Sequence, residues 1–458
     1  MAGLMLRMDR SALLEATQPI APRAVKTGKA ASLNGAFFWL CAFYFVYCAR
    51  PEDWIKPLEI VPFAKITAVF ALLGLLNSLG KTKRRIHDLP RESVYLLALI
   101  GVLFASAFLS PIWRGGAFFH TIDFSKVYII YVLTFLLVTD FSRLRRIIFI
   151  QAASVALISI VSVILGHNRP RLEGVIGGIY SNPNDLAFAI VLTLPFALAF
   201  LLTAKGALRK AAWVGAILIL GLTLTLTASR AGFISLMISG TVCLWHFGVK
   251  GRRFYLIVGS ALGGALLLAV AGGPLMTRLT AITGNADTQL GQTAIASYEA
   301  REYLMAKAVE GIEHYPILGL GARNFPVYSE IWHDVHMTYL QIAVEGGIPS
   351  LILYLLFFAS AFRNLKKLRR RKDLDVHTTL FVGGLHASMI GFVIGALFAP
   401  EAYQFFPYFA VSYTSALVAT INERESAPQP SQEGKDWRRR YGVVRANRER
   451  TNDLTPVR

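Results

Sequence analysis

The chain has 458 residues, of which 54% are hydrophobic and only 16% are charged, and its formal net charge is +19. Soluble domains usually carry roughly 25% charged residues, so the composition excludes an ordinary soluble protein. The positive charge does not indicate nucleic-acid binding, because the basic residues lie in short clusters between apolar runs and in the two tails. We therefore predict an integral membrane protein whose basic clusters contact anionic lipid headgroups.

Apolar runs recur along the chain, and each is long enough to cross the roughly 30 Å hydrocarbon layer of a bilayer. They predict an all-α polytopic membrane protein with about twelve transmembrane helices. The predicted spans are 32–49, 59–79, 93–110, 122–140, 147–166, 186–203, 211–228, 231–248, 254–273, 337–362, 376–398 and 403–421. The fourth span is the weakest, because Asp123 and Lys126 lie at its start and must pair or reach the membrane surface.

The basic residues predict the orientation. About three quarters of the 47 Lys and Arg residues lie in the tails and in the loops on the same side as the N-terminus, which the positive-inside rule makes cytoplasmic. Both termini are then cytoplasmic. The predicted domains are a cytoplasmic tail (1–31), a membrane domain (32–421) and a basic cytoplasmic tail (422–458) that lacks periodicity and is expected to be disordered.

One long connection, 274–335, is predicted on the extracytoplasmic side, which is periplasmic if the protein is bacterial. Within it, 297–313 is expected to form a helix, and the Pro and Gly residues of 316–321 end that helix. The apolar residues that recur at helical spacing are Leu304, Met305, Ala308 and Ile312. The long loop is therefore predicted to be helical.

Arginine is scarce on the predicted outer side, so each arginine there needs a reason. The outer arginines are Arg171 in the second-longest outer loop (167–185), Arg230 at a tight turn, Arg301 on the loop helix and Arg323 after a Gly-Leu-Gly break. A guanidinium suits phosphate or pyrophosphate, because its planar fork donates two hydrogen bonds at once. The alternative is an arginine that reaches lipid phosphate at the membrane surface. Small residues around Arg230 favour the first reading, because they allow close helix packing that directs its side chain inward.

Two histidines, His333 and His336, lie at the outer entrance to the tenth span. Their spacing can bind a metal on a helix, but no third ligand follows at the expected offset. A single imidazole can instead act as a general base toward a hydroxyl, and Asp334 or Glu345 could orient it. The alternative is a hydrogen-bonded histidine at the membrane surface without a chemical role.

Three motifs follow one another in this half of the chain: Gly319–Phe325, His336 followed by Tyr339-Leu-Gln, and Glu345–Pro349. Together with the turn around Arg230, the segment Glu299–Tyr303 and the segment Ser181–Asp185, they resemble the O-antigen ligase/polymerase family of bacterial inner-membrane glycosyltransferases. The resemblance is sharpest over about 215–365. The chain departs from the family pattern at Met337, where Asn is common, and at Ser350, where Gly is common.

The resemblance implies a membrane domain whose outer loop helices cover a cavity open to the lipid. It implies an inverting enzyme, without a metal or other cofactor, that moves a glycan from undecaprenyl pyrophosphate to an acceptor hydroxyl. It assigns the donor pyrophosphate to Arg171, Arg230 and Arg301, and it assigns acceptor activation to His336. The candidate supporting residues are Arg323, His333, Glu345 and Asn184.

The acceptor is lipid A-core in an O-antigen ligase, a growing chain in a polymerase and a protein in an O-oligosaccharyltransferase. Since these enzymes share one chemistry, the sequence does not separate them, and ligase is the preferred prediction. The alternative from another class is a lipid-linked oligosaccharide transporter, or flippase. Such a transporter usually shows two related halves, whereas the long outer loop here has no counterpart in the first half.

Overall fold

The computed structural model describes residues 28–166, 171–172, 179–180, 182–280 and 289–426, and over these residues the chain is helical without a strand. Most of the two predicted tails, residues 1–27 and 427–458, lies outside the described residues. The principal helices are α1 (Gly28–Ala49), α2 (Phe63–Leu76), α3 (Arg91–Leu109), α4 (Arg114–Leu137), α5 (Phe141–Gly166), α6 (Pro183–Thr203), α7 (Ala207–Leu226), α8 (Arg230–Leu244), α9 (Tyr255–Ala271), α10 (Gly273–Thr280), α11 (Gln289–His314), α12 (Thr338–Arg370), α13 (Val376–Gly395) and α14 (Phe405–Ser426).

Each predicted span corresponds to one helix, α1 to α9 and α12 to α14. Among the described residues, eight helices are long and apolar enough to cross a membrane by length and composition. Shorter apolar helical segments lie in α1, α2 and α9. The predicted all-α polytopic membrane fold is confirmed, and the outer loop contains α10 and α11 as helices.

One face of α9 carries a row of exposed aliphatic side chains. Val258, Leu262, Leu266 and Val270 follow one another every four residues and are all largely exposed, with Val270 at 74%. A row of exposed aliphatic side chains on one helix face is stable only where it contacts lipid. This face of α9 is therefore a lipid-facing surface of the membrane domain.

The fourth span begins earlier than predicted, at Arg114 rather than at position 122. The prediction was short because Asp123 and Lys126 lower the local hydropathy. In the structure the Lys126 ammonium donates to the Asp123 carboxylate one helical turn away. The expected pairing is observed, and it lets the helix continue through both charges.

Arg84 is one of the basic residues between the second and third predicted spans. It is buried rather than exposed to lipid headgroups. Its guanidinium donates to the Phe135 carbonyl at 2.7 Å, to the Thr420 hydroxyl at 2.8 Å and to the Glu423 carboxylate. A buried charge is tolerated when it is fully paired. These bonds fasten the last turns of α14 to the end of α4, and α14 accordingly continues to Ser426, past the predicted end of its span.

Helix α12 is interrupted by Gly347, whose φ of 76° and ψ of 173° are not helical. The interruption frees two carbonyls for bonds to the loop before it. The Val344 carbonyl accepts from Leu320 N–H at 2.9 Å, and the Glu345 carbonyl accepts from Gly321 N–H at 2.8 Å. The two glycine motifs recognised in the sequence are thus the two sides of one contact.

We expect Gly347→Ala to destabilise the protein. A Cβ at this position would lie 2.1 Å from the Ile317 carbonyl oxygen, and this backbone region is essentially restricted to glycine, with a cost of about 1–3 kcal/mol for other residues. The measurement is the melting temperature of the purified protein. Gly215→Ala, with open space around the added methyl group, is the matched control and should not lower it. Equal melting temperatures for the two variants would contradict this explanation of the kink.

Candidate functional site

A cavity of about 290 Å³ lies at the end of the bundle where α6 and α8 begin and where α11 passes over them. Its lining residues are Arg171, Asn182, Asn184, Arg230, Ser297, Ala300, Arg301, Leu304, His333 and His336. Six of the eight predicted site residues are therefore together in one place. The other two, Arg323 and Glu345, do not line this cavity.

The first turn of α6 forms one wall of the cavity. Asn182 is the N-cap residue, and its side-chain oxygen accepts the Asn184 N–H at 2.9 Å, while Pro183 occupies the first helical position. This is the usual chemistry of a helix start, because proline has no N–H to leave unpaired. The side-chain amide oxygen of Asn184 (Oδ1) then accepts a hydrogen bond of 2.7 Å from the Ser229 hydroxyl. The start of α6 is thereby tied to the start of α8.

The start of α8 forms the adjoining wall. Ser229 is its N-cap residue and accepts the Gly232 N–H at 3.1 Å. The preceding residue, Ala228, has a φ of 48°, which sharpens the turn after α7. Two helix N-termini therefore meet at the cavity, and the free N–H groups and dipole of each favour an anion there.

Arg230 is the first residue of α8, and the first turn of that helix has no acidic residue. A cation at a helix N-terminus is electrostatically unfavourable, because the helix dipole is positive there. One terminal nitrogen of the Arg230 guanidinium is also buried without a hydrogen-bond partner among the described residues. Buried polar atoms are nearly always paired, so this position is chemically suited to an anionic ligand.

Arg171 is held on the same turn, because its Nε donates to the Thr227 carbonyl at 3.1 Å. The next residue, Leu172, is buried and donates its N–H to the Leu226 carbonyl at 3.0 Å. The backbone around Arg171 thus follows the end of α7 and delivers a second guanidinium to the cavity. No local pattern indicates this contact, because the two segments are far apart along the chain.

Helix α11 covers the cavity with one face. The residues on that face, at helical spacing, are Ser297, Ala300, Arg301 and Leu304. Leu304 and Ala308 are fully buried in a small apolar cluster with residues of the loop and of α12. The predicted loop helix is confirmed and is longer than expected, but Met305 is 43% exposed and does not belong to the packed face. The packing places Arg301 against the cavity.

His336 also lines the cavity and lies two residues before α12. Burial lowers the pKa of its imidazole to about 4, and the positive charges of Arg301 and His333 add to the lowering. The ring is therefore neutral at neutral pH. Its Nδ1 is buried and has no hydrogen-bond partner in the part of the chain that the structure describes. A neutral imidazole beside three guanidinium groups can accept a proton from a hydroxyl.

Neither carboxylate suggested for orienting His336 makes a hydrogen bond to it among the described residues. Glu345 is fully buried on α12, and its carboxylate accepts the Tyr403 hydroxyl at 2.7 Å. Arg323 lies over the ring of the same tyrosine, with its guanidinium carbon 5.7 Å from the ring centroid. Arg323 thus lines a neighbouring hollow, and Glu345 is buried beneath it, bonded to Tyr403.

Residues 214–355 match the sequence profile described as O-antigen ligase. The similarity to the O-antigen ligase family thus covers part of the chain. The match runs from α7 into α12 and therefore contains Arg230, Arg301 and His336, whereas Arg171 and Asn184 lie before it. The cavity thus joins the part of the chain that defines the O-antigen ligase family with the earlier start of α6.

A curated relative supports the same family. The chain is 24% identical over 278 residues to the exopolysaccharide production protein ExoQ of Rhizobium meliloti (strain 1021). The similarity covers 55% of this chain and 59% of ExoQ, which is less than two thirds of the relative. The resemblance predicted from the motifs is confirmed, and the chain is a multi-pass membrane protein that is similar over part of its length to the O-antigen ligase family.

Sequence reasoning missed several lining residues of the O-antigen ligase-like cavity. It singles out neither Asn182, which lines the cavity, nor Ser229, which caps α8 beside it, although a polar residue directly before an apolar helix is a recognisable capping signal. Ser297 and Ala300 share a helical face with Arg301, which the spacing of three to four residues could have indicated. The partnership of Asn184 with Ser229 had no local signal, because it joins two separate helix starts.

Proposed function

We propose that the protein is a glycosyltransferase that moves a glycan from undecaprenyl pyrophosphate to an acceptor hydroxyl at the periplasmic face of the bacterial inner membrane. One observation supports this above the others: three arginines, two helix N-termini and a neutral histidine share one cavity. The orientation rests on the basic loops, such as 80–92 and 249–253, which lie at the opposite end of the bundle and are therefore cytoplasmic.

In this proposal the arginines hold the donor diphosphate. Arg171, Arg230 and Arg301 present guanidinium groups to a site that already has the positive ends of α6 and α8. When the bond between the sugar and the diphosphate breaks, negative charge develops on the leaving phosphate oxygen. Preorganised cations stabilise that charge more in the transition state than in the bound donor, which accelerates transfer.

His336 acts on the acceptor. Its neutral imidazole takes the proton of the acceptor hydroxyl as that oxygen attacks the anomeric carbon from the side opposite the diphosphate. The new glycosidic bond forms as the old bond to the phosphate oxygen breaks, so the anomeric configuration inverts. In this proposal the arginines stabilise the negative charge on the leaving phosphate, and His336 accepts the proton of the acceptor hydroxyl, so no metal is required.

We prefer an O-antigen ligase activity, in which the acceptor is lipid A-core. A chain polymerase is the second candidate, and the similarity to a protein named for exopolysaccharide production supports it. Protein O-glycosylation is a further acceptor choice for the same chemistry.

Deletion of the gene followed by separation of lipid-linked, lipopolysaccharide-linked and protein-linked glycans distinguishes these three activities. Long lipid-linked chains accumulate after loss of a ligase, and single repeat units accumulate after loss of a polymerase.

A flippase is disfavoured by the position of the cavity at one end of the bundle. Below the cavity the faces of α6 and α13 are buried against each other by large side chains, among them Phe188, Phe196 and Phe392. A transporter needs a pathway through both leaflets, whereas a transferase needs access from one side only. Transfer of a labelled glycan by the purified protein in a nanodisc tests this directly, and movement of lipid-linked glycan without transfer would contradict the proposal.

The pH dependence follows from the histidine. In the free enzyme the pKa of His336 is lowered to about 4, so kcat/KM should stay level down to about pH 5 and fall below it as the ring gains a proton. The bound diphosphate adds negative charge beside the ring and raises that pKa. The acid limb of kcat should therefore lie at higher pH than the acid limb of kcat/KM. Acid limbs in the reverse order would contradict the role of His336 as the base.

A further inference from the structure

A second hollow, of about 340 Å³, lies beside the first cavity at the same end of the bundle. Its polar lining consists of Arg323, His120 and Asp123, and Phe119, Phe124 and Tyr403 contribute aromatic rings. None of these residues lines the first cavity. A small number of polar groups among aromatic rings is typical of a site for an organic ligand.

The guanidinium of Arg323 is the most available charge in this hollow. Its side chain is exposed and makes no hydrogen bond or ion pair with the described residues, and its one described contact is with the ring of Tyr403. The position of that ring is fixed, because the Tyr403 hydroxyl donates a hydrogen bond of 2.7 Å to the buried Glu345 carboxylate. Arg323 is therefore held at a defined place, with its N–H groups free to bind an anion.

The carboxylates of Asp185, Asp334 and Glu345 lie near Arg323, but none forms an ion pair with it among the described residues. Asp123 is paired with Lys126 on the same helix. Asp334 lies close enough to Arg323, His333 and His120 for their positive charges to lower its pKa, although burial raises it more. Asp334 thus stands between the two cavities and belongs to the segment that also carries His336. Arg323 therefore lies close to the loop segment that carries His333 and His336.

We propose that this second hollow binds the acceptor glycan and that Arg323 selects acceptors carrying a carboxylate or a phosphate group. The proposal rests on the transferase function proposed above and names the substrate class of its acceptor side. Sugar rings have an apolar face that packs on aromatic side chains such as Tyr403 and Phe124. An acidic substituent can then form a two-pronged hydrogen bond with the Arg323 guanidinium. An acceptor bound here would present a hydroxyl toward His336.

The test uses the full-length protein in phosphatidylcholine nanodiscs and three probes. The probes are a glucose trisaccharide, the same trisaccharide with one uronic carboxylate, and the same trisaccharide with one phosphate monoester, and calorimetry measures their Kd. We expect the wild type to bind at least one acidic probe about tenfold to a hundredfold more tightly than the neutral one. Arg323→Gln should abolish that preference, and Arg323→Lys should retain part of it. The comparison of the two acidic probes tells carboxylate from phosphate selection.

The donor side supplies the matched control. Undecaprenyl diphosphate should bind Arg323→Gln as tightly as it binds the wild type, whereas Arg230→Gln should weaken it. Equal affinity of the wild type for all three trisaccharides would overturn the acceptor proposal, as would a preference that survives in Arg323→Gln. Loss of acidic-probe binding when phosphatidylglycerol replaces half of the nanodisc lipid would assign the hollow to lipid headgroups and overturn it too. Failure of the wild type to bind undecaprenyl diphosphate would instead contradict the proposed function.

Discussion

Arg230→Ala is expected to reduce glycan transfer by about 100- to 1,000-fold, the usual effect of removing one preorganised group that stabilises developing charge. The reason is specific to its position at the first residue of α8, where a guanidinium nitrogen is buried without a partner among the described residues. The measurement is transfer of a labelled glycan from undecaprenyl pyrophosphate in nanodiscs. Arg230→Lys should recover only a small part, because an ammonium cannot form the two-pronged contact.

The matched control for Arg230 is Arg114→Ala. Arg114 is also the first residue of a helix at the same end of the bundle, but it is exposed and does not line the cavity. Its loss should leave transfer unchanged. If Arg114→Ala and Arg230→Ala reduced transfer equally, the effect would be a general consequence of lost surface charge, and the donor site would be wrongly assigned.

His336→Ala is expected to reduce kcat by roughly 100- to 10,000-fold, the range for loss of a general acid or base. Donor binding should change little, because the diphosphate is held by the arginines and not by the imidazole. This difference separates His336 from Arg230: the first variant should still bind undecaprenyl diphosphate, and the second should bind it weakly. His333→Ala reports whether the second histidine of the cavity shares the role of the first.

The control for His336 is His314→Ala. His314 lies at the end of α11 in the same loop, is exposed, and contacts the Glu310 carbonyl at 2.8 Å. Replacing it removes an imidazole from the loop without touching the cavity. Transfer at the wild-type rate by His336→Ala would remove the base from the mechanism. Equal losses in both histidine variants would point to a change in the loop rather than in the chemistry.

The sequence predicted the fold well because membrane spans are encoded locally. A run of apolar residues identifies a span wherever it lies in the bundle, and all twelve runs became helices. The errors came where pairing with another group lowers the cost of a charged residue. The Asp123–Lys126 pair lets α4 begin earlier than its hydropathy indicates, and Arg84 is buried because separate helix ends supply its acceptors.

The candidate site was predictable only in part. Arg230, Arg301 and His336 were indicated by residue type, by position on the outer side and by resemblance, and the structure brings them into one cavity. Their meeting depends on α11 packing over the starts of α6 and α8, which no local pattern encodes. Glu345 shows the limit most clearly. Its spacing suggested a partner for His336, but its buried carboxylate accepts the hydroxyl of Tyr403 instead, a residue far away in the sequence.

The most direct measurement is a structure of the protein in a nanodisc with undecaprenyl diphosphate bound. We predict that the diphosphate lies in the cavity within hydrogen-bond distance of Arg171, Arg230 and Arg301, with His336 on the side from which an acceptor would approach. A diphosphate bound elsewhere, with these arginines contacting only protein or lipid headgroups, would contradict the proposed donor site.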